Sequence, residues 1–124
     1  MKAILLVSHG SRSRKAHDEA VELARQVAVK TGFDAVEPAF LDVDRPSIPE
    51  GVEALVRKGA SDIIVLPNFL NSGNHVLEDV PRFVREAESR HPAVRFRTAP
   101  FVGSHPRMAE LFADIVRETE KAPR

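Results

Sequence analysis

The 124-residue chain contains no cysteine, which excludes disulfide scaffolds, thiol nucleophiles, iron–sulfur clusters and thiolate zinc sites together. Any metal chemistry must rest on histidine or carboxylate. Net charge is lacking too: eighteen Lys and Arg balance eighteen Asp and Glu, so no nucleic acid and no acidic membrane surface is expected as the main partner. Long hydrophobic runs are missing. The N-terminus, MKAILLVSHGS, carries one Lys and an apolar stretch of five residues, 3 to 7, too short for a signal sequence or a membrane span. A cytoplasmic location is expected. There is no P-loop, no GxGxxG and no GxSxG, so neither a nucleotide-phosphate cradle nor an α/β-hydrolase nucleophile elbow is available. No low-complexity segment or solenoid period occurs, and the echo of PAFL (38 to 41) in PNFL (67 to 70) is too short to indicate duplication.

What remains is ordinary globular composition, 43% hydrophobic and 29% charged, enough for one core and a single domain over residues 1–124. Ala3 to Val7 and Asp62 to Leu66 are continuous branched apolar runs, the pattern of strands covered on both faces of a parallel sheet. Ala35 to Phe40 contains Glu37 and Pro38, and Val94 to Thr98 alternates with Arg95 and Arg97, which suits edge strands. Between and after them run helical stripes: Ala16, Ala20, Leu23 and Val27; Ile48, Val52 and Leu55; Val80, Phe83, Val84 and Ala87; and Met108, Leu111, Phe112 and Ile115. The last stripe is expected to run through its charged end, RETEK, into a frayed tail. Strict βαβαβαβα alternation predicts an α/β fold with an open, mostly parallel four-stranded sheet and flanking helices in a flavodoxin-like arrangement. With the first and third strands central, the order is 2-1-3-4, and a ligand is expected outside the carboxyl ends of those two strands, where the chain reverses direction.

The loops at that edge carry histidines. Ser8-His9-Gly10-Ser11 ends the first strand, and Asn68 to His75 follows the third. Neutral imidazole binds first-row metals and accepts protons near neutral pH, so the pair His9 and His75 suits metal chemistry without thiolates. His17, on the first helix, and His91, before Pro92, read as surface residues; His105 reads as a helix-entry residue that could line a site. Phe40, Phe69 and Phe101 stand at three strand ends, where each can plug the core and together they could floor a flat ligand. Arg12, Arg14, Lys15, Arg45 and Arg107 cluster at the same edge and suggest an acidic ligand. Ser8 stands where the histidine phosphatases have the Arg of Arg-His-Gly, which disfavours phosphohistidine chemistry.

Four segments then carry a resemblance over nearly the whole chain: LLVSHGSR (5 to 12), PAFLDVDRPSI (38 to 48), IIVLPNFLNSGNHVLEDVP (63 to 81) and APFVGSHP (99 to 106). Their ordered set, with the G-x-H-x-x-x-D-x-P block, resembles the short-form, single-domain sirohydrochlorin cobaltochelatases of the class II chelatases. The resemblance implies insertion of a divalent metal (cobalt, nickel or iron) into a polycarboxylated tetrapyrrole, with metal as substrate and no organic cofactor. It implies that His9 and His75 bind metal and accept pyrrole protons, and that Ser11, Arg12, Phe40, Asp42, Arg45, Phe69, Asn74 and Phe101 contact substrate. It also implies a homodimer. Two departures stand out: Asn74 replaces a frequent Arg, and Asp42 replaces a frequent Glu. Asp79 is expected to cap the third helix, and Glu78 could approach the metal. A metal or tetrapyrrole carrier would use the same histidines without turnover, and a phosphotransfer enzyme would label His9.

Overall fold

The computed structural model describes residues 1–73 and 78–123. Four strands, β1 (Lys2–Ser8), β2 (Ala35–Phe40), β3 (Asp62–Pro67) and β4 (Arg95–Thr98), alternate with α1 (Arg14–Thr31), α2 (Ile48–Arg57), α3 (Val80–Arg90) and α4 (Met108–Lys121). A short 3-10 turn, Val102–Ser104, precedes α4. All strand pairs are parallel and the order is β2-β1-β3-β4, as the distribution of apolar runs predicts. Right-handed crossovers in this order put α1 on one face of the sheet and α2 and α3 on the other.

Alternation along the strands divides the core. Ala3, Leu5, Val7, Ile63 and Val65 face Ile48, Val52 and Leu55 of α2 and Val80 and Ala87 of α3 in one buried cluster. Ile4 and Leu6 point the other way and are equally well covered, and Ala24 is the buried residue of α1. β1 is thus buried on both faces, as expected. β3 is not: Ile63, Val65 and Pro67 are buried, while Asp62, Ile64 and Leu66 are only half-buried. The reason lies at the C-terminus. α4 has no buried residue, and its Leu111, Phe112, Ile115 and Val116 are all at least half exposed, so its apolar stripe leaves that face of β3 incompletely covered. The RETEK segment (117 to 121) completes α4, which ends at Lys121.

Local chemistry sets the helix ends. Ser13 Oγ accepts the Ala16 N–H at the start of α1, and Gly32 ends it in a left-handed conformation, φ 69°. At α2, Ser47 and Glu50 form a reciprocal capping box. Asp79 occupies the cap position of α3, as expected, but makes no side-chain capping bond; its carboxylate meets Arg82 at 3.3 Å instead. A residue already in helical φ/ψ, −70° and −46°, cannot swing its side chain back over the N–H groups of the first turn.

Candidate functional site

The strand ladder continues past the carboxyl ends of β2, β1 and β3 and ties their loops together. The Leu41 N–H donates to the Ser8 carbonyl at 3.0 Å, and the Asp42 N–H donates to the His9 carbonyl at 3.1 Å. From the other side the Asn68 N–H donates to the Val7 carbonyl at 2.7 Å, and Asn68 Nδ2 donates to Ser8 Oγ at 3.1 Å. This close approach needs Gly10. Its φ is +98°, and a Cβ there would stand 2.0 Å from the Asp42 carbonyl oxygen. His9 is thereby fixed at the predicted switch point. Its exposed ring stands edge-on to the buried ring of Phe69, with centroids 4.9 Å apart at 82°.

Beside His9 opens a cleft of about 330 Å³ between α1 and the strand ends. Ser8, Gly10, Ser11 and Asn68 form its polar edge, and Ala16, Ala20, Leu23 and Phe40 its apolar wall. Phe40 is buried. Stacked on it, 5.3 Å between centroids and 28° between planes, is the ring of His17. His17 Nδ1 lies 2.9 and 3.0 Å from the two Asp44 oxygens, with the side chains 22% and 14% exposed. His17 is therefore not the surface residue that its solitary place on a helix suggests. Removal from water pushes the Asp44 carboxyl up, but hydrogen bonds from His17 and from backbone N–H groups outweigh this and hold it below the usual carboxylate range.

The remaining expected residues are spread around this centre. Ser11 lines the cleft and accepts the Ser13 N–H at 3.0 Å. Arg12 is exposed, and Asp42 is exposed at the rim with Oδ1 accepting the Val43 N–H at 2.9 Å. The Arg45 guanidinium is paired with Glu50, whose carboxyl it pulls down to about 2. Phe69 is buried in the core cluster and Phe101 is packed against it, away from the cleft. His75 and Asn74 lie outside the described residues. Glu78 is exposed in the turn leading into α3. His105 serves the entry to α4, its Nδ1 accepting the Arg107 N–H at 3.0 Å. His91 pairs with Glu53 at 3.3 Å and is half-buried, at the end of α3 rather than free on the surface. Among the described residues no group of three or more His, Asp or Glu side chains is placed to hold a metal ion.

Comparison with known proteins agrees with this architecture. The chain is 32% identical over 118 residues to a sirohydrochlorin cobaltochelatase of Sulfurisphaera tokodaii, covering 95% of this chain and 93% of that protein. It is 31% identical to a sirohydrochlorin cobaltochelatase of Priestia megaterium, covering 96% of this chain but only 39% of the relative. Among solved structures, the sirohydrochlorin chelatase SirB of Bacillus subtilis subspecies spizizenii in complex with cobalt superposes with a TM-score of 0.86 at 31% identity, covering 94% of this chain and 50% of that one. The chain thus spans about half the length of several relatives that it matches. The profile of the CbiX family matches residues 3–119, and the chain belongs to the CbiX family.

Proposed function

We propose that the protein is a chelatase that inserts a divalent metal, cobalt, nickel or iron, into a polycarboxylated tetrapyrrole of the sirohydrochlorin type. One observation carries the reading: in a member of the CbiX family, His9 stands at the end of a central strand, beside a cleft walled by Phe40. An apolar wall with a polar edge suits the rim of a flat macrocycle that bears carboxylates. His9 and His75 take the metal, which is a substrate and not a resident cofactor. Arg12 and Arg45 meet the carboxylates, and Ser11, Asp42 and Asn74 complete the contacts, while Phe69 and Phe101, packed in the core away from the cleft, support the site from beneath instead of touching the substrate. Relatives named for cobalt and for iron both exist, and imidazole with carboxylate accepts either metal.

The test is anaerobic absorbance spectroscopy of sirohydrochlorin with Co²⁺, Ni²⁺ or Fe²⁺, with and without protein. The wild type is expected to accelerate the spectral change of insertion. His9→Ala is expected to abolish most of that acceleration while leaving circular dichroism and melting temperature nearly intact, because an exposed loop imidazole adds little to the core. Stoichiometric binding with no acceleration would replace the enzyme with a carrier.

The working unit in this proposal is a homodimer. Support comes from the exposed stripe of α4, the half-covered Ile64 and Leu66 of β3 and the doubled length of SirB. A single four-stranded sheet, roughly 14 Å across at about 4.8 Å per strand spacing, gives a macrocycle a shelf, which a second copy would close.

A further inference from the structure

Each metal that enters a tetrapyrrole displaces two pyrrole N–H protons, and the family resemblance leaves metal ligation and proton acceptance to the same two imidazoles. A nitrogen lone pair that holds a metal is not free to take a proton. The other nitrogen of such a ring carries the hydrogen that orients it. The cleft therefore needs an acceptor distinct from the metal ligands.

We propose that His17, oriented by Asp44, is that acceptor: a base on α1 that receives pyrrole protons in the cleft while His9 holds the metal. The inference rests on the chelatase reading and assigns a residue that this reading does not use. An ionised carboxylate only accepts hydrogen bonds, so with Asp44 bonded to Nδ1 the hydrogen must sit on Nδ1. In the neutral ring the lone pair is then left on Nε2. Phe40 fixes the plane of the ring from β2 and Asp44 fixes its rotation from the loop after β2. The ring lines the same cleft as His9. An imidazole held in one tautomer by a carboxylate and set into the cleft beside His9 is the arrangement of a general base. An ordinary surface ion pair has no need of the stacked ring.

The proton balance is simple. A pyrrole N–H bond breaks, its electron pair stays on the nitrogen that bonds the metal, and the proton forms the Nε2–H bond. The resulting imidazolium is stabilised by the Asp44 carboxylate until it passes the proton to solvent, and the second proton follows the same route. Among the described residues, the other titratable groups lining the cleft are His9, Glu19 and Asp44. Glu19 is the rival base.

Three variants separate the possibilities. His17→Gln keeps an N–H donor for Asp44 but removes the base, so it is expected to melt like the wild type and bind sirohydrochlorin normally. Its kcat should fall by roughly a hundredfold or more, the usual contribution of a positioned base. His17→Ala should fall as far and recover with added imidazole, the rescued rate following the basicity of substituted imidazoles. Glu19→Gln should insert metal at close to the wild-type rate. The assignment is overturned if His17→Gln keeps wild-type kcat, if imidazole does not rescue His17→Ala, or if the loss appears in Glu19→Gln instead. A wild type that does not accelerate insertion would sink the chelatase proposal itself. Normal wild-type turnover with an active His17→Gln would sink only this one.

Discussion

Gly10 shows how tightly one residue governs the site. Its positive φ costs an L-residue about 1–2 kcal/mol, and a Cβ there would run into the Asp42 carbonyl at 2.0 Å. Gly10→Ala is therefore expected to lower the denaturation midpoint and also to remove insertion activity, because the loops after β1 and β2 must part and carry His9 with them. Chemical denaturation and the absorbance assay check both halves; an alanine variant with wild-type turnover would show that His9 does not depend on this close approach. His9 was legible in the sequence because Ser-His-Gly ends an unbroken apolar run. His17 was not, because a single histidine on a helix matches any solvated position. The signal lay in topology: the order 2-1 sets the loop holding Asp44 beside the first turn of α1, so His17 and Asp44 meet across 27 residues of chain. His75 was also singled out in the sequence, and it falls outside the described residues.

At the scale of an element, the start of α2 joins a cap to an ion pair. Glu50 accepts the Ser47 N–H at 2.8 Å and also meets Arg45, and together these bring its carboxyl from an ordinary 4.5 to about 2. The unfolded chain therefore binds more protons than the folded one between those values, so stability rises with pH across that window. The Glu50 contribution is complete above about pH 4.5 and disappears as pH falls towards 2. Asp44, also lowered, acts in the same direction. Glu50→Gln keeps a side chain able to complete the capping box but removes the titration, so its melting temperature should fall less steeply with acid than that of the wild type. Parallel acid profiles for the two proteins would contradict the assignment. The elements themselves were readable from periodicity, because stripes such as Ile48, Val52 and Leu55 record burial directly. The covering of α4 was not, since an identical stripe serves a helix packed on its own sheet and one left for another surface.

At the scale of the whole molecule, α4 leaves an apolar surface uncovered among the described residues. Leu111, Phe112, Ile115 and Val116 of α4 are 50–57% exposed, while Ile64 and Leu66 keep one face of β3 half-covered. An apolar helix stripe left exposed is a feature of interaction surfaces, and a two-fold pair would bury each of these residues twice. Several relatives are about twice as long as this chain, and the proposed partner is a second copy of it. Sedimentation equilibrium at micromolar concentration is expected to give twice the 13.7 kDa chain mass. Phe112→Glu with Ile115→Glu should halve it without loss of helix content, since neither side chain is buried within the chain. If the second copy also closes the macrocycle shelf, the monomeric variant should lose affinity for sirohydrochlorin while still binding metal at His9. A wild type that sediments as a monomer with full turnover would show that one four-stranded sheet suffices. The stripe of α4 would then have no part in the reaction.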